Sequence, residues 1–351
     1  MATRIRDRAR AGTATRRGDA ALVVGTRGSA LALWQTNWVL DRLRERTPNL
    51  DARIETIKTQ GDHTQAAGTP LASLGDKGIF IAELENALLS GTLDVAIQPM
   101  QDRVLVEEER HARVDAAVHS LKDLPSTLTS GLALVAVTER GDPRDALVSR
   151  AGLRLSELPH SATVATSSLR RRAQLLHMRP DLRIVEVRGN VDTRLRKALA
   201  ADGPDATILA VAGMQRLGLE QYITEYLPVE VLVPAVGQGA LAVEIRAHDL
   251  HARRLLRPLD HTVTRHTVVA ERAVLATLGG GCQVPVGAHA IPSADGATLR
   301  LIAVVASPDG QRLIRVEREG QARRAATLGR QVGRELLRQG AAEILREVLA
   351  R

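Results

Sequence analysis

The sequence predicts an α/β protein with a smaller α+β domain at its C-terminal end, and three observations carry that prediction. Through roughly residue 257, short apolar runs alternate with glycine- or serine-containing turns and amphipathic stretches, the rhythm of strand–turn–helix units. Two polar segments, 138–145 and 234–239, interrupt the rhythm with glycine and proline and suit crossings between domains. From His261 onward the pattern changes to one helix, paired strands and a long amphipathic helix, which reads as a separate α+β unit.

Composition narrows the function. A chain of 351 residues is too long for one small core, and its 44% hydrophobic and 25% charged residues are ordinary for a soluble globular protein. No apolar run approaches the roughly 18 residues that a membrane span needs. The single cysteine forbids an internal disulfide and fits a reducing cytosol, so a cytoplasmic protein is expected. The net charge is +8, and four lysines (Lys58, Lys77, Lys122, Lys197) stand against 44 arginines. The planar guanidinium binds carboxylate and phosphate through two parallel hydrogen bonds, so the bias suits acidic ligands. One Phe, two Tyr and two Trp leave little for base stacking, and nucleic acid is not expected as a partner. The pairs His248/His251 and His261/His266 lack supporting acidic or thiol ligands, so no metal is expected.

Residues 1–20 carry six arginines and two aspartates without apolar periodicity, and read as a disordered basic tail. A short strand at 21–24 runs into Gly25, Gly28 and Ser29, which open an amphipathic helix. A strand, a small-residue turn and a helix N-terminus make an anion site, with Arg27 projecting from the turn. A second strand is expected at 53–58. A polar segment, 62–75, follows and leads through Lys77 to a helix reading IAELENALLSG.

The next stretch contains an apparent internal duplication: 93–102 lines up with 114–123, an offset of 21 residues. Each copy reads as a buried strand and a polar loop ending in aspartate, Asp102 and Asp123, joined by a charged connector at 103–113 with helical character. Gln101 precedes the first aspartate and Lys122 the second. A lysine lowers the pKa of a neighbouring carboxyl group while burial in a cleft raises it, a competition that can poise Asp123 for acid/base work.

A strand at 132–137 leads into the first crossing. A strand at 163–165, the turn and cap Thr166-Ser167-Ser168, and a helix beginning Arg170-Arg171-Arg172 follow. Cations at a helix N-terminus oppose the dipole and cost a few tenths to ~1 kcal/mol each unless an anion is bound, so they point to an anionic ligand. A strand at 184–187 with Arg188, Gly189 and Arg194, and a strand at 207–211 with Arg216, repeat the design. A strand at 240–245 follows the second crossing. The C-terminal unit comprises a helix at 264–278, paired strands at 297–306 and 312–319, and a helix at 322–349. Its sequence LGGGCQVPVG places Cys282 between three glycines and Pro285, which argues for a loop thiol, an attachment point or nucleophile if cations stabilise the thiolate.

These residues together resemble the hydroxymethylbilane synthase (porphobilinogen deaminase) family from Val23 to the C-terminus. The matching segments are GTRGSALALWQ, TQGD, GDKGIF, HSLKDLP, ERGDPRDAL, TSSLRRRAQL, RGNVDTRLRK, VPAVGQGAL and AERAVLATLGGGCQVPVGA. The resemblance implies two doubly wound lobes similar to periplasmic binding proteins, 21–138 with 240–257 (carrying the inserted repeat at about 93–113) and 144–233, and a third α+β domain, 262–351. It implies a transferase of tetrapyrrole and heme biosynthesis that joins four porphobilinogens head to tail, releases ammonia at each step and hydrolyses off the linear product hydroxymethylbilane. It implies a dipyrromethane cofactor in thioether linkage to Cys282, with Lys122, Thr166, Ser168, Arg170, Arg171 and Arg188 as cofactor ligands. Arg27, Ser29, Gln35, Lys77, Arg194 and Arg216 fall on substrate-binding positions, and Asp123 on the catalytic carboxylate. A monomer acting on a small molecule is expected.

The chemistry of the residues agrees. Each pyrrole brings two carboxylates, which arginines on turns of both lobes would bind, and loss of ammonia leaves a cationic azafulvene that an aspartate can stabilise. A covalent anchor makes successive couplings effectively intramolecular. The duplication departs from the family pattern: an extra strand in the sheet would displace Asp123 from the cleft, giving weak activity, whereas a looped-out first copy would leave Asp123 in place. A two-lobe anion-binding protein without catalysis is the other reading.

Overall fold

The structure, a computed structural model, describes residues 22–59, 81–90, 114–279 and 284–350. The expectations for the basic tail, Lys77, the first repeat copy with Asp102, and Cys282 fall outside these residues.

The first sheet is built from β1 (Leu22–Thr26), β2 (Ala52–Thr56), β3 (Ala116–Ser120), β4 (Leu132–Val137) and β10 (Leu241–Arg246), in the order β2-β1-β3-β10-β4. β1 is parallel to β2 and β3, whereas β10 runs antiparallel to both its neighbours. Helix α1 (Ala30–Arg46) connects β1 to β2, and α2 (Ala82–Ser90) packs against β1, β3, β4 and β10. Leu22, Val24, Val118, Val243 and Ile245 bury one face of this sheet with Val39, Leu40 and Leu43 of α1. The second copy of the repeat therefore occupies the sheet, paired with β1 on one side and β10 on the other.

The second sheet repeats the plan in the order β7-β6-β8-β5-β9. Its strands are β5 (Asp145–Ser149), β6 (Thr163–Ala165), β7 (Arg183–Val185), β8 (Ala206–Ala210) and β9 (Glu225–Leu227), with helices α3 (Leu169–Met178), α4 (Val191–Leu199) and α5 (Val211–Arg216). Here β6 is parallel to β7 and β8, and β5 is the antiparallel strand. The chain passes between the sheets twice, through residues 138–144 and 228–240. Doubly wound open sheets place their binding crevice where the strand order reverses, at the ends of the parallel strands.

The third unit is an antiparallel meander of β11 (Val286–Pro292), β12 (Thr298–Ala306) and β13 (Leu313–Gln321), covered by α7 (Thr262–Thr277), α8 (Ala325–Arg338) and α9 (Ala341–Leu349). Helix α6 (Leu250–Leu256) precedes it. Gly329 lets α8 lie directly on α7, since a β-carbon there would stand 2.1 Å from the carbonyl oxygen of Ala270. Among the described residues no helix is long and apolar enough to cross a membrane.

Several elements differ from the sequence expectation. β5, β9, β11 and α6 were not expected, because each is short or starts on a charged or glycine-containing stretch with no clear period. The single C-terminal helix is two, broken at Gly340, whose φ of 99° cannot continue a helix and suits the left-handed turn that ends one.

The second crossing makes a close contact with the loop after β3. Gly237 has φ 72°, and a β-carbon on it would lie 2.0 Å from Leu121 Cδ2. Positive φ costs a non-glycine residue about 1–2 kcal/mol, and overpacking a filled core about 1–3 kcal/mol more. Gly237→Ala is expected to lower stability by roughly 2–5 kcal/mol in denaturant unfolding, and a change within experimental error would refute this account of the contact.

Candidate active site

The turn after β1 carries Arg27 and Ser29. Ser29 caps α1 by accepting from the backbone N–H of Ala32 at 3.2 Å, which fixes the turn and orients the helix. One turn further, the buried Gln35 amide meets the Ser120 hydroxyl at 2.9 Å, tying α1 to the end of β3. Beyond Ser120 the chain makes a single 3₁₀ turn, Leu121–Asp123. Leu121 is buried beneath Gly237, and its N–H donates to the Ala240 carbonyl at 3.1 Å. The next two residues, Lys122 and Asp123, are left at the cleft wall.

A cavity of about 250 Å³ opens there, lined by Arg27, Ser29, Gln35, Ser120, Lys122, Asp123 and Arg194. A smaller space of about 70 Å³ continues inward past Lys122 and Arg194 to Arg171, Arg216 and Gln238. Six of the sequence-predicted residues thus share one cavity, and two more, Arg171 and Arg216, reach the adjoining one. Because Asp123 lines this cavity, the second repeat copy keeps its aspartate in the cleft.

The cations are held at electrostatic cost. Burial pulls the Lys122 ammonium down to about 8; Asp123 opposes that shift and Arg171 reinforces it. Arg194 and Arg216 are each lowered to about 10, chiefly by burial. Arg194 donates to the Gly189 carbonyl at 2.7 Å and Arg216 to the Gly239 carbonyl at 2.6 Å. Neither forms a salt bridge to a carboxylate among the described residues, although the Asp123 carboxylate attracts Arg194.

Arg170 and Arg171 are arranged differently from the expectation. The anion answering this helix end is part of the protein: Asp145, fully buried at the start of β5, takes Arg170 Nη2 at 2.8 Å and Arg171 Nη2 at 2.7 Å. Gln238 donates to the same carboxylate at 2.9 Å. Burial pushes the Asp145 carboxyl up, but the two guanidiniums and the amide override it and hold it well below the usual carboxylate range. Arg170 also donates to the Val233 carbonyl at 2.7 Å, which points it into the protein. Thr166 and Ser168 shape the turn before α3, where Ser168 accepts from the N–H of Arg171. Arg188 lies 3.7 Å from Glu186. These four, Thr166, Ser168, Arg170 and Arg188, line neither cavity.

Sequence reasoning missed Ser120, His119, Glu244, Asp145 and Gln238. His119 lines the larger cavity, and its Nε2 lies 3.3 Å from the fully buried Glu244 carboxylate. Glu85 of α2 is coupled to the pair; burial raises its pKa, Glu244 adds to the rise, and a hydrogen bond from Thr129 at 2.7 Å opposes it. Ser120 and His119 stand within HSLKDLP, where the lysine and aspartate drew attention. Asp145 had one signal, an acid immediately before the apolar run Ala146-Leu147-Val148. Among the described residues no group of three or more His, Cys, Asp or Glu could hold a metal ion.

This cation-lined cleft between two doubly wound sheets can be set beside known proteins. A family model described as "Porphobilinogen deaminase, dipyromethane cofactor binding domain" matches residues 22–109 and 103–254, and its companion, "Porphobilinogen deaminase, C-terminal domain", matches 266–338. The chain belongs to the porphobilinogen deaminase family. The model's two pieces overlap at 103–109, inside the connector between the repeat copies. Similar relatives named porphobilinogen deaminase come from Desulforudis audaxviator (49% identical, covering 94% of this chain and 98% of the relative) and Pelobacter propionicus (46%, 94% and 98%). Among solved structures, a methionine-bound nutrient binding protein from Burkholderia cenocepacia aligns at 13% identity and TM-score 0.37, over 67% of this chain and 90% of that one. Porphobilinogen deaminases are transferases of tetrapyrrole biosynthesis that condense porphobilinogen on a dipyrromethane cofactor, and this chain is one of them.

Removing the buried anion tests the arginine pair. Breaking a buried ion pair from one side costs about 3–5 kcal/mol, so Asp145→Asn is expected to lower the unfolding free energy by that order in a denaturant titration; a loss near zero would show that Arg170 and Arg171 are neutralised elsewhere.

Proposed function

We propose that the cavity shared by Asp123, Lys122, Arg27 and Arg194 is where porphobilinogen is deaminated and joined to the growing chain. The observation that carries this reading is the placement of one carboxylate, Asp123, among cations from both lobes in a single cavity. The donor set suits a group rich in carboxylates, because Arg194 and Arg216 are half-buried cations with no salt bridge to a described acid, and Asp123 alone attracts Arg194. Lys122 and Arg171 would hold the cofactor's acidic side chains, together with Arg188. Thr166, Ser168 and Arg170 would serve the same site by fixing the turn and the α3 N-terminus. Cys282, between α7 and β11 in sequence, would provide the thioether sulfur. When bound, the cofactor supplies the pyrrole carbon that accepts each unit and the covalent tether that retains it.

The protein's own residues then have distinct tasks. Arg27, Ser29, Gln35, Arg194 and Arg216, with Lys77, would orient substrate through its acetate and propionate, using charge-assisted hydrogen bonds. Asp123 would face the pyrrole nitrogen and aminomethyl group. As the carbon–nitrogen bond breaks, the electron pair leaves with ammonia and positive charge develops on the ring, where a fixed carboxylate lowers the barrier. The apolar walls of Ile81, Leu84 and Leu31 would lower the local polarity and strengthen that interaction. The single cysteine suits a cytosolic enzyme and the five aromatic residues argue against a nucleic-acid partner, and we read the protein as a monomer acting on a small molecule.

Two experiments address the assignment. Intact mass of the purified protein is expected to exceed the sequence mass by one dipyrromethane, and Cys282→Ser to abolish the excess; Asp123→Asn is expected to keep the cofactor yet lose about 10²–10⁴ of kcat. Equal turnover in Asp123→Asn would remove Asp123 from the chemistry.

Lys122 gives a pH dependence whose sign follows from its lowered pKa. The ammonium is present below about 8 and is lost as pH rises through that value, so binding of carboxylate by the cofactor-free protein should weaken above it. Lys122→Arg, charged throughout, should flatten this alkaline limb in a titration with porphobilinogen; an unchanged limb would assign it to another group.

A further inference from the structure

A third cavity, of about 310 Å³, lies beyond Arg216 between α1 and α5, over the first crossing. Arg216 and Ala212 line both this groove and the inner part of the cleft, so the two spaces are contiguous through them. Both tryptophans of the chain, Trp34 and Trp38, face the groove. In a protein with five aromatic residues among 351, their convergence on one concave surface calls for an explanation. Trp34 is left 37% exposed, and the Arg216 guanidinium stands 5.8 Å from its ring centroid.

The polar groups select the ligand. Arg140 also lines the groove but is committed to Glu271 at 2.6 Å, which leaves Arg216 as the cation the groove can offer. Glu139 stands on the wall as the opposing charge and would turn ligand carboxylates toward Arg216. Indole faces beside a guanidinium suit a planar, electron-rich ring that carries carboxylates. The cleft cavities, about 250 Å³ and 70 Å³, are small against the ~300–1,000 Å³ that a single drug-sized ligand fills. Among the described residues these two spaces are too small to hold a cofactor of two pyrroles extended by four more.

We propose that this groove is an elongation subsite, in which Trp34, Trp38 and Arg216 receive rings of the oligopyrrole once the cleft is full. The proposal rests on the cleft reading above, and adds to it a place where the later stages of the growing chain bind.

The test uses the holoenzyme, porphobilinogen added in steps, and two readouts: the intact-mass ladder of covalent complexes and tryptophan emission. In Trp38→Phe the remaining indole is Trp34, and its emission should stay constant through the first addition and change at the later ones. In Trp34→Ala the first unit should add at the native rate, while the last two add about tenfold more slowly, the scale of one lost aromatic stack. Gln215→Trp, at an exposed position on the groove wall, should crowd the same late additions without touching the core. Slowing of all additions alike in both groove variants, or Trp34 emission that is constant through every stage, overturns the subsite. A native chain that adds no unit at all overturns the cleft reading and the subsite with it.

Discussion

Glu271 is the point on which the three units of this protein converge. It sits fully buried on α7 and accepts two hydrogen bonds from Arg140 of the first crossing, at 2.6 and 3.1 Å. The N–H of Gly237, in the second crossing, donates to it at 2.7 Å, and the N–H of Ala290, on β11, at 2.9 Å. Burial pushes its pKa up, but Arg140 and His289 overcome that and hold the carboxyl down at about 2. A buried charge is tolerable when it is paired and every lone pair is used, and here each partner comes from a different segment. Both crossings and the C-terminal sheet are thereby referred to one carboxylate.

The same logic extends into the second lobe. Arg140 Nε donates to the Gln238 carbonyl at 2.8 Å, and the Gln238 amide donates to Pro143 O at 2.8 Å and to Asp145 at 2.9 Å. Asp145 in turn holds Arg170 and Arg171. The crossings have few strand partners of their own, so charged and amide side chains satisfy their backbone groups. One consequence reaches the active site: Leu121 is clamped between Gly237 and the Ala240 carbonyl, so the turn bearing Lys122 and Asp123 takes its position from the second crossing. Movements that accommodate a longer product therefore have to leave these clamped segments together and act around them.

The legible parts of the fold were the units that announce themselves locally. An apolar run followed by Gly28-Ser29, by Ser167-Ser168 or by Gly189-Asn190 specifies strand, turn and helix start within a dozen residues, and α1, α3 and α4 follow. β5, β9 and β11 were illegible because their identity depends on distant partners. β5 is a strand because β8 and β9 flank it, and β11 tolerates Gly287 because a β-carbon there would press on the Val233 carbonyl at 2.7 Å. The site shows the same division. Arg27, Lys122, Asp123 and Arg194 were recognisable from their turns, yet nothing near Arg170 and Arg171 reveals that Asp145, on another strand, pairs with both of them.

That difference separates two uses of arginine in a chain that has 44 of them. Arg140, Arg170 and Arg246 are buried or nearly so and matched by carboxylates, and they serve as fasteners. Arg194 and Arg216 are half-buried and form no salt bridge to a described carboxylate; burial lowers both, Asp123 offsets part of that for Arg194, and the rest of the desolvation cost stays with the folded protein. A ligand that brings carboxylates repays that cost on arrival, because the cations are already placed and need no reorganisation. Electrostatic strain of this kind favours a ligand in proportion to the negative charge it carries, which is the property an oligopyrrole gains with each ring.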